Sequence, residues 1–131
     1  MIVKIDHIGV AVSSIDDAVK LYRDGLGLKT GEIETVEAER VKVAMIAVGE
    51  SRIELLEPTG SEGAIAKYIE KRGEGVHHLA LKVSDIRGML EKLKEMGIPL
   101  IDEKPRIGAG GTKMAFIHPK GAKVLMELVE Y

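Results

Sequence analysis

The sequence predicts an α+β fold in which two tandem βαβββ modules form one curved mixed sheet. Two observations lead there. Asp6-His7-Ile8-Gly9-Val10-Ala11-Val12 returns as His77-His78-Leu79-Ala80-Leu81-Lys82-Val83, and Arg52-Ile53-Glu54-Leu55-Leu56-Glu57 returns as Leu125-Met126-Glu127-Leu128-Val129-Glu130. The register is nearly constant, because His78 follows His7 by 71 residues and Glu127 follows Glu54 by 73. A repeat of that length is a supersecondary module, too long for a short motif. The 131 residues then read as one domain, with a first module at 1–58, a connection at 59–75 and a second module at 76–131.

Each element has its own signal. Val3 to Val12 alternates as a strand does, with Ile8, Val10 and Val12 on one face and His7, Gly9 and Ala11 on the other. Ser14 is placed to cap a helix whose apolar Ile15, Val19 and Tyr22 follow helical spacing, and Gly25 and Gly27 end it. Thr30–Val36, Val41–Val48 and Arg52–Glu57 read as strands, with a turn at Gly49-Glu50 and a stop at Pro58. The connection contains a predicted helix, Glu62–Arg72. The pattern then restarts with a strand at 76–83, a helix at 85–96 closed by Gly97, a short strand near 100–103, and strands at 113–118 and 122–129. Leu90, Leu93 and Met96 are expected in the core beneath that helix.

Composition narrows the setting. The net charge of −2 opposes nucleic-acid binding through a basic surface. No apolar run approaches a membrane span, and no secretory signal is read at the start, so a cytoplasmic, non-membrane protein is expected. Cysteine is absent, which removes disulfides and thiolate ligands. Asn, Gln and Trp are absent as well, while Lys, Glu, Ile and Val abound, the bias of heat-adapted proteins.

Alternation aims the polar residues. His7 and His78 lie opposite the apolar rows that pack under the helices, and their face neighbours Gly9, Ala11 and Ala80 are small enough to leave room for a ligand. His77 points the other way, so His78 is chosen over it. Glu54 lies between Ile53 and Leu55, and Glu127 between Met126 and Leu128. A lone strand Glu is usually solvated, and a lone strand His usually structural. Two equivalent His/Glu pairs are hard to explain by packing, because a carboxylate facing a cavity costs several kcal/mol unless paired or metal-bound. His7, Glu54, His78 and Glu127 are therefore the candidate metal ligands. Two imidazoles and two carboxylates suit Co²⁺, Ni²⁺, Mn²⁺, Zn²⁺ or Fe²⁺, and on an octahedral ion they leave two positions for a bidentate oxygen substrate.

These strands and paired modules resemble the vicinal oxygen chelate superfamily (glyoxalase, bleomycin resistance, dioxygenase) over essentially the whole chain. The loop Arg106-Ile107-Gly108-Ala109-Gly110-Gly111 and the segment Phe116-Ile117-His118-Pro119-Lys120 narrow the likeness to methylmalonyl-CoA epimerases. That resemblance implies a metal-dependent isomerase with a divalent cofactor, Co²⁺ foremost and Mn²⁺, Ni²⁺ or Zn²⁺ as alternatives. It implies an acyl-CoA substrate, a homodimer, and inversion of the methyl-bearing carbon by α-proton abstraction through a metal-chelated enolate. Inversion needs a base on each face of that plane. By the resemblance Glu127 is one, and Glu37 is assigned as the other, with Glu39 close enough to compete.

The runner-up is glyoxalase I, which uses a similar ligand set on a glutathione adduct but lacks the Phe116–Lys120 pattern. An extradiol dioxygenase typically needs only two His and one Glu, and an antibiotic-binding relative needs no four-ligand site. The glycines at 108–111 precede a strand instead of joining strand to helix, so they read as a loop near the pocket mouth, not a phosphate cradle. Lys113 and Lys120 can meet CoA phosphates, although surface lysines are more often solubilising.

Overall fold

A computed structural model describes residues 1–108 and 111–131. Its elements are β1 (Ile2–Ala11), α1 (Ile15–Val19), β2 (Glu34–Val36), β3 (Val41–Val48), β4 (Ser51–Pro58) and α2 (Ala64–Arg72), followed by β5 (Gly75–Val83), α3 (Ile86–Glu95), β6 (Arg106–Ile107), β7 (Lys113–Ile117), α4 (Pro119–Ala122) and β8 (Leu125–Glu130). The strands form one mixed sheet in the order β2-β3-β4-β1-β5-β8-β7-β6, which is the α+β architecture expected. Within it β1 pairs with β4 and β5 with β8 in parallel, while the β2–β3, β3–β4, β6–β7 and β7–β8 pairs are antiparallel. Two compact units result. One is His7–His77; the other joins Met1–Asp6 to His78–Tyr131.

In the first unit, Ser14 caps α1 by accepting from the Asp17 N–H at 3.2 Å, and the Glu57 carboxylate accepts from the Ile15 N–H at 2.8 Å. Both satisfy donors that a helix start leaves without an internal partner. Ile15 and Val19 then pack on Val12, Ala44, Ile46 and Leu55. Each such side chain, once fully buried, contributes roughly 1.5–3 kcal/mol. Ala11, one residue before Val12 and so on the opposite face of the alternation, packs with Val41, Leu56 and Ile65 of α2.

The second unit repeats the plan. Asp85 caps α3 by accepting from the Gly88 N–H at 3.1 Å, and Glu130 accepts from the Ile86 N–H at 2.8 Å. A Cβ at position 88 would stand 2.3 Å from Asp85 Oδ2, so a larger residue there would make the capping carboxylate turn aside. Ile86 and Leu90 pack on Val83, Ala115, Ile117 and Leu128. The chain's start is held here too. The Met1 carbonyl accepts from the Ser84 N–H at 3.0 Å, and the Tyr131 hydroxyl donates to buried Asp6 at 2.6 Å.

Several sequence expectations are corrected. The strand expected over Thr30–Val36 is a single bridge from Thr30 to Ile46, where the Gly31 N–H donates to the Met45 carbonyl at 2.8 Å, followed by the three-residue β2, and Gly31 weakens the run between them by offering no side chain to pack. The segment near 100–103 makes one bridge, Leu100 to Ile117, and the short strand lies later, at Arg106–Ile107. The strand expected from 122 begins at Leu125, because Pro119 opens α4 with the His118 side chain as its cap. The first helix turns π-helical over Lys20–Gly25. Met96, expected in the core, is 64% exposed. Six residues at about 100° each set it roughly 120° around the helix from Leu90.

Candidate metal centre

The repeat places each His/Glu pair by the same register. In the β1–β4 ladder Gly9 stands opposite Glu54, and His7 is two residues before Gly9. In the β5–β8 ladder Ala80 stands opposite Glu127, and His78 is two residues before Ala80. Diagonal neighbours of this kind share a face and lie within reach of long side chains. The small residue opposite each glutamate leaves it room to lean toward its histidine.

The resulting distances match. His7 Nε2 lies 3.8 Å from Glu54 Oε1 in the first unit, and His78 Nε2 lies 3.6 Å from Glu127 Oε1 in the second. His7, His78 and Glu127 are buried, and Glu54 is nearly so, its side chain 15% exposed. Both separations exceed an N–H···O hydrogen bond. Ligands at about 2.0–2.2 Å from one ion stand about 2.8–3.1 Å apart at octahedral angles and about 3.3–3.6 Å apart at tetrahedral ones, so each pair lies within about 1 Å of a chelating spacing. The donor set of imidazoles and carboxylates fits a divalent metal, and no thiolate competes.

The other histidines have separate work. His77 meets the Tyr68 ring edge-on, with centroids 5.0 Å apart, and Tyr68 donates to the Val76 carbonyl at 2.6 Å. His118 Nδ1 accepts from the Lys120 N–H at 3.1 Å in capping α4.

Glu37 and Glu39, the candidates for the second base, lie exposed in a one-turn 3₁₀ segment between β2 and β3. That turn closes when the Arg40 N–H donates to the Glu37 carbonyl, with Arg40 at a left-handed φ of 57°. Lys113 sits 3.7 Å from Glu130, and Lys120 is exposed. The glycine loop is described at Gly108 and Gly111, whereas Ala109 and Gly110 lie outside the described residues.

Two features went unread in the sequence. Asp6 is 2% exposed and bonded to Tyr131, a pairing across 125 positions that no local pattern announces. Phe116 meets the His78 ring edge-on at 6.4 Å. The repeat could have found it, because Phe116 pairs with Glu127 as Met45 pairs with Glu54.

Comparison with known proteins gives one consistent result. Residues 6–116 match the family model described as the Glyoxalase/Bleomycin resistance protein/Dioxygenase superfamily. An uncharacterised Bacillus subtilis protein is 41% identical, covering 97% of this chain and 91% of its own length. An ethylmalonyl-CoA/methylmalonyl-CoA epimerase of Cereibacter sphaeroides is 35% identical, covering 92% of this chain and 91% of its own. A variant of the Streptomyces coelicolor methylmalonyl-CoA epimerase, solved with 2-nitronate-propionyl-CoA, is 35% identical with a TM-score of 0.87, covering 99% of this chain and 95% of that one.

Proposed function

The chain belongs to the glyoxalase/bleomycin resistance protein/dioxygenase superfamily, and we propose that within it the chain is an epimerase of methylmalonyl-CoA or a close 2-substituted malonyl-CoA. The full-length likeness to epimerases at 31–37% identity carries this reading. The matched His/Glu pairs support it. In our reading His7, Glu54, His78 and Glu127 hold one divalent ion, with Co²⁺ preferred and Mn²⁺, Ni²⁺ or Zn²⁺ as substitutes. When bound, that ion supplies Lewis-acid polarisation of the substrate carbonyl.

The chain's own groups handle the proton. The α-carbon of a methylmalonyl thioester lies between two carbonyl carbons, so its C–H bond is already weakly acidic. Glu127, buried and shielded from bulk water, takes that proton from one face while the electron pair moves to the thioester oxygen. Glu37, or Glu39 beside it, returns a proton from the opposite face. One C–H bond breaks and one forms, with configuration inverted and no oxidant or reductant required. We extend the reading to a homodimer, which the mass of the purified protein in solution tests; a single-copy mass refutes it.

The deciding experiment follows the α-proton. Protein loaded with Co²⁺ in D₂O should exchange the α-proton of methylmalonyl-CoA for deuterium. No exchange, together with turnover of the methylglyoxal–glutathione adduct, would replace this reading with a glyoxalase.

A further inference from the structure

Phe116 is the only phenylalanine in the chain, and it lies outside the core cluster of its own unit, half-buried beside His78. The ladders say which residues join it. Phe116 stands opposite Glu127, and Arg106 stands opposite Met114, two residues before Phe116. Residues opposite one another share a face, as do residues two apart on a strand. Arg106, Phe116 and Glu127 therefore stand on one face of the second unit, and the β5–β8 register adds His78 to it.

Arg106 is held there from two sides. Its guanidinium carbon lies 5.5 Å from the Phe116 ring centroid, within cation–π range. Its Nη2 lies 3.1 Å from Asp102 Oδ2, and the same carboxylate oxygen accepts from the Phe116 N–H at 2.9 Å. Asp102 thus ties the cation to the strand that carries the ring. Asp102 is itself 16% exposed, so a mostly buried acid aims a guanidinium whose side chain stays 56% exposed. A surface ion pair made for stability contributes about 0–1 kcal/mol and needs no such anchoring. The guanidinium has five N–H donors in a planar fork, more than Asp102 uses, and that fork matches carboxylate and phosphate oxygens.

We propose that Arg106 is a substrate-reading residue that receives an anionic group of the acyl-CoA, either its free carboxylate or a CoA phosphate, with Asp102 and Phe116 as its positioning residues. This rests on the acyl-CoA reading given above.

Titration calorimetry on the metal-loaded protein tests it with three ligands. These are methylmalonyl-CoA, propionyl-CoA (which lacks the carboxylate) and the methylmalonyl thioester of N-acetylcysteamine (which lacks the phosphates). Arg106→Gln should weaken methylmalonyl-CoA binding roughly tenfold to a hundredfold at unchanged metal content and melting temperature. If the carboxylate is read, propionyl-CoA binding stays as in the wild type and the truncated thioester weakens. If a phosphate is read, the reverse holds. Asp102→Asn should give a smaller loss of the same selectivity. A wild type that exchanges the α-proton, beside an Arg106→Gln protein binding methylmalonyl-CoA within about twofold of it, overturns the role of Arg106 alone. A wild type that neither binds nor exchanges overturns the acyl-CoA reading beneath it.

Discussion

The two units solve the same local problems with the same residues and then diverge in what they put around them. Glu57 and Glu130 occupy equivalent positions, and each accepts from the first N–H of the helix after its histidine strand. Glu54 and Glu127 each stand opposite a small residue, two places along from the histidine. The surroundings differ. In the first unit α2 lies over Ala11, Val41 and Leu56, whereas in the second Phe116 stands edge-on to His78 with Arg106 over its ring. Position 6 is a buried Asp bonded to tyrosine, and its counterpart 77 is a His set edge-on to tyrosine. The repeat keeps what places each His/Glu pair and varies what surrounds it.

Seven substitutions, in four sets, break or sharpen that comparison. The largest effect separates the two glutamates chemically. Glu127→Gln removes the proposed base and should slow deuterium exchange by about 10²–10⁴-fold. Glu54→Gln keeps an oxygen donor in the matching place and should retain most activity, so equal losses in the two variants would end the division of roles. Next comes the core under the two helices, where Val19 and Leu90 are counterparts, 5% and 1% exposed. Leu90→Ala should cost about 2–5 kcal/mol in urea unfolding, and Val19→Ala less, since it deletes fewer buried atoms. The helix-start carboxylates follow, with Glu57→Ala and Glu130→Ala each expected to cost about 1–2 kcal/mol. A loss confined to one of them would show that the equivalence is geometric only. The smallest effect is at Met96, where Lys should leave the melting temperature almost unchanged, within about 0.5 kcal/mol.

Much of this plan was legible because it rests on period and cap chemistry. Alternation from Val3 to Val12 located β1 within one residue at either end, Ser14 was readable as a cap, and the helix expected at 85–96 runs over Ile86–Glu95. The choice of His78 over His77 followed from the same alternation, and His77 does sit against Tyr68. What escaped reading depends on interactions that leave no periodic trace. The π-helical turn over Lys20–Gly25 preserves the apolar spacing of an α-helix, so the pattern alone cannot separate the two. The shift of the short strand from 100–103 to Arg106–Ile107 is set by pairing with Lys113 and Met114. Ile101 and Asp102 instead direct their N–H groups to the single Phe116 carbonyl, each at 3.1 Å. The anchoring of Arg106 likewise needs Asp102 and Phe116, which are 14 positions apart, to be brought together first.

The grouping of Met1–Asp6 with His78–Tyr131 has a consequence for synthesis. A ribosome releases the first six residues long before the segments that hold them exist. The Met1 carbonyl must await Ser84, and Asp6 must await Tyr131. Until then residues 1–6 lack these two partners, and the late unit can close only by recapturing them over a long loop, a step governed by chain entropy. A C-terminal fragment made without those six residues would lack part of its own architecture, whereas His7–His77 is one uninterrupted stretch of chain.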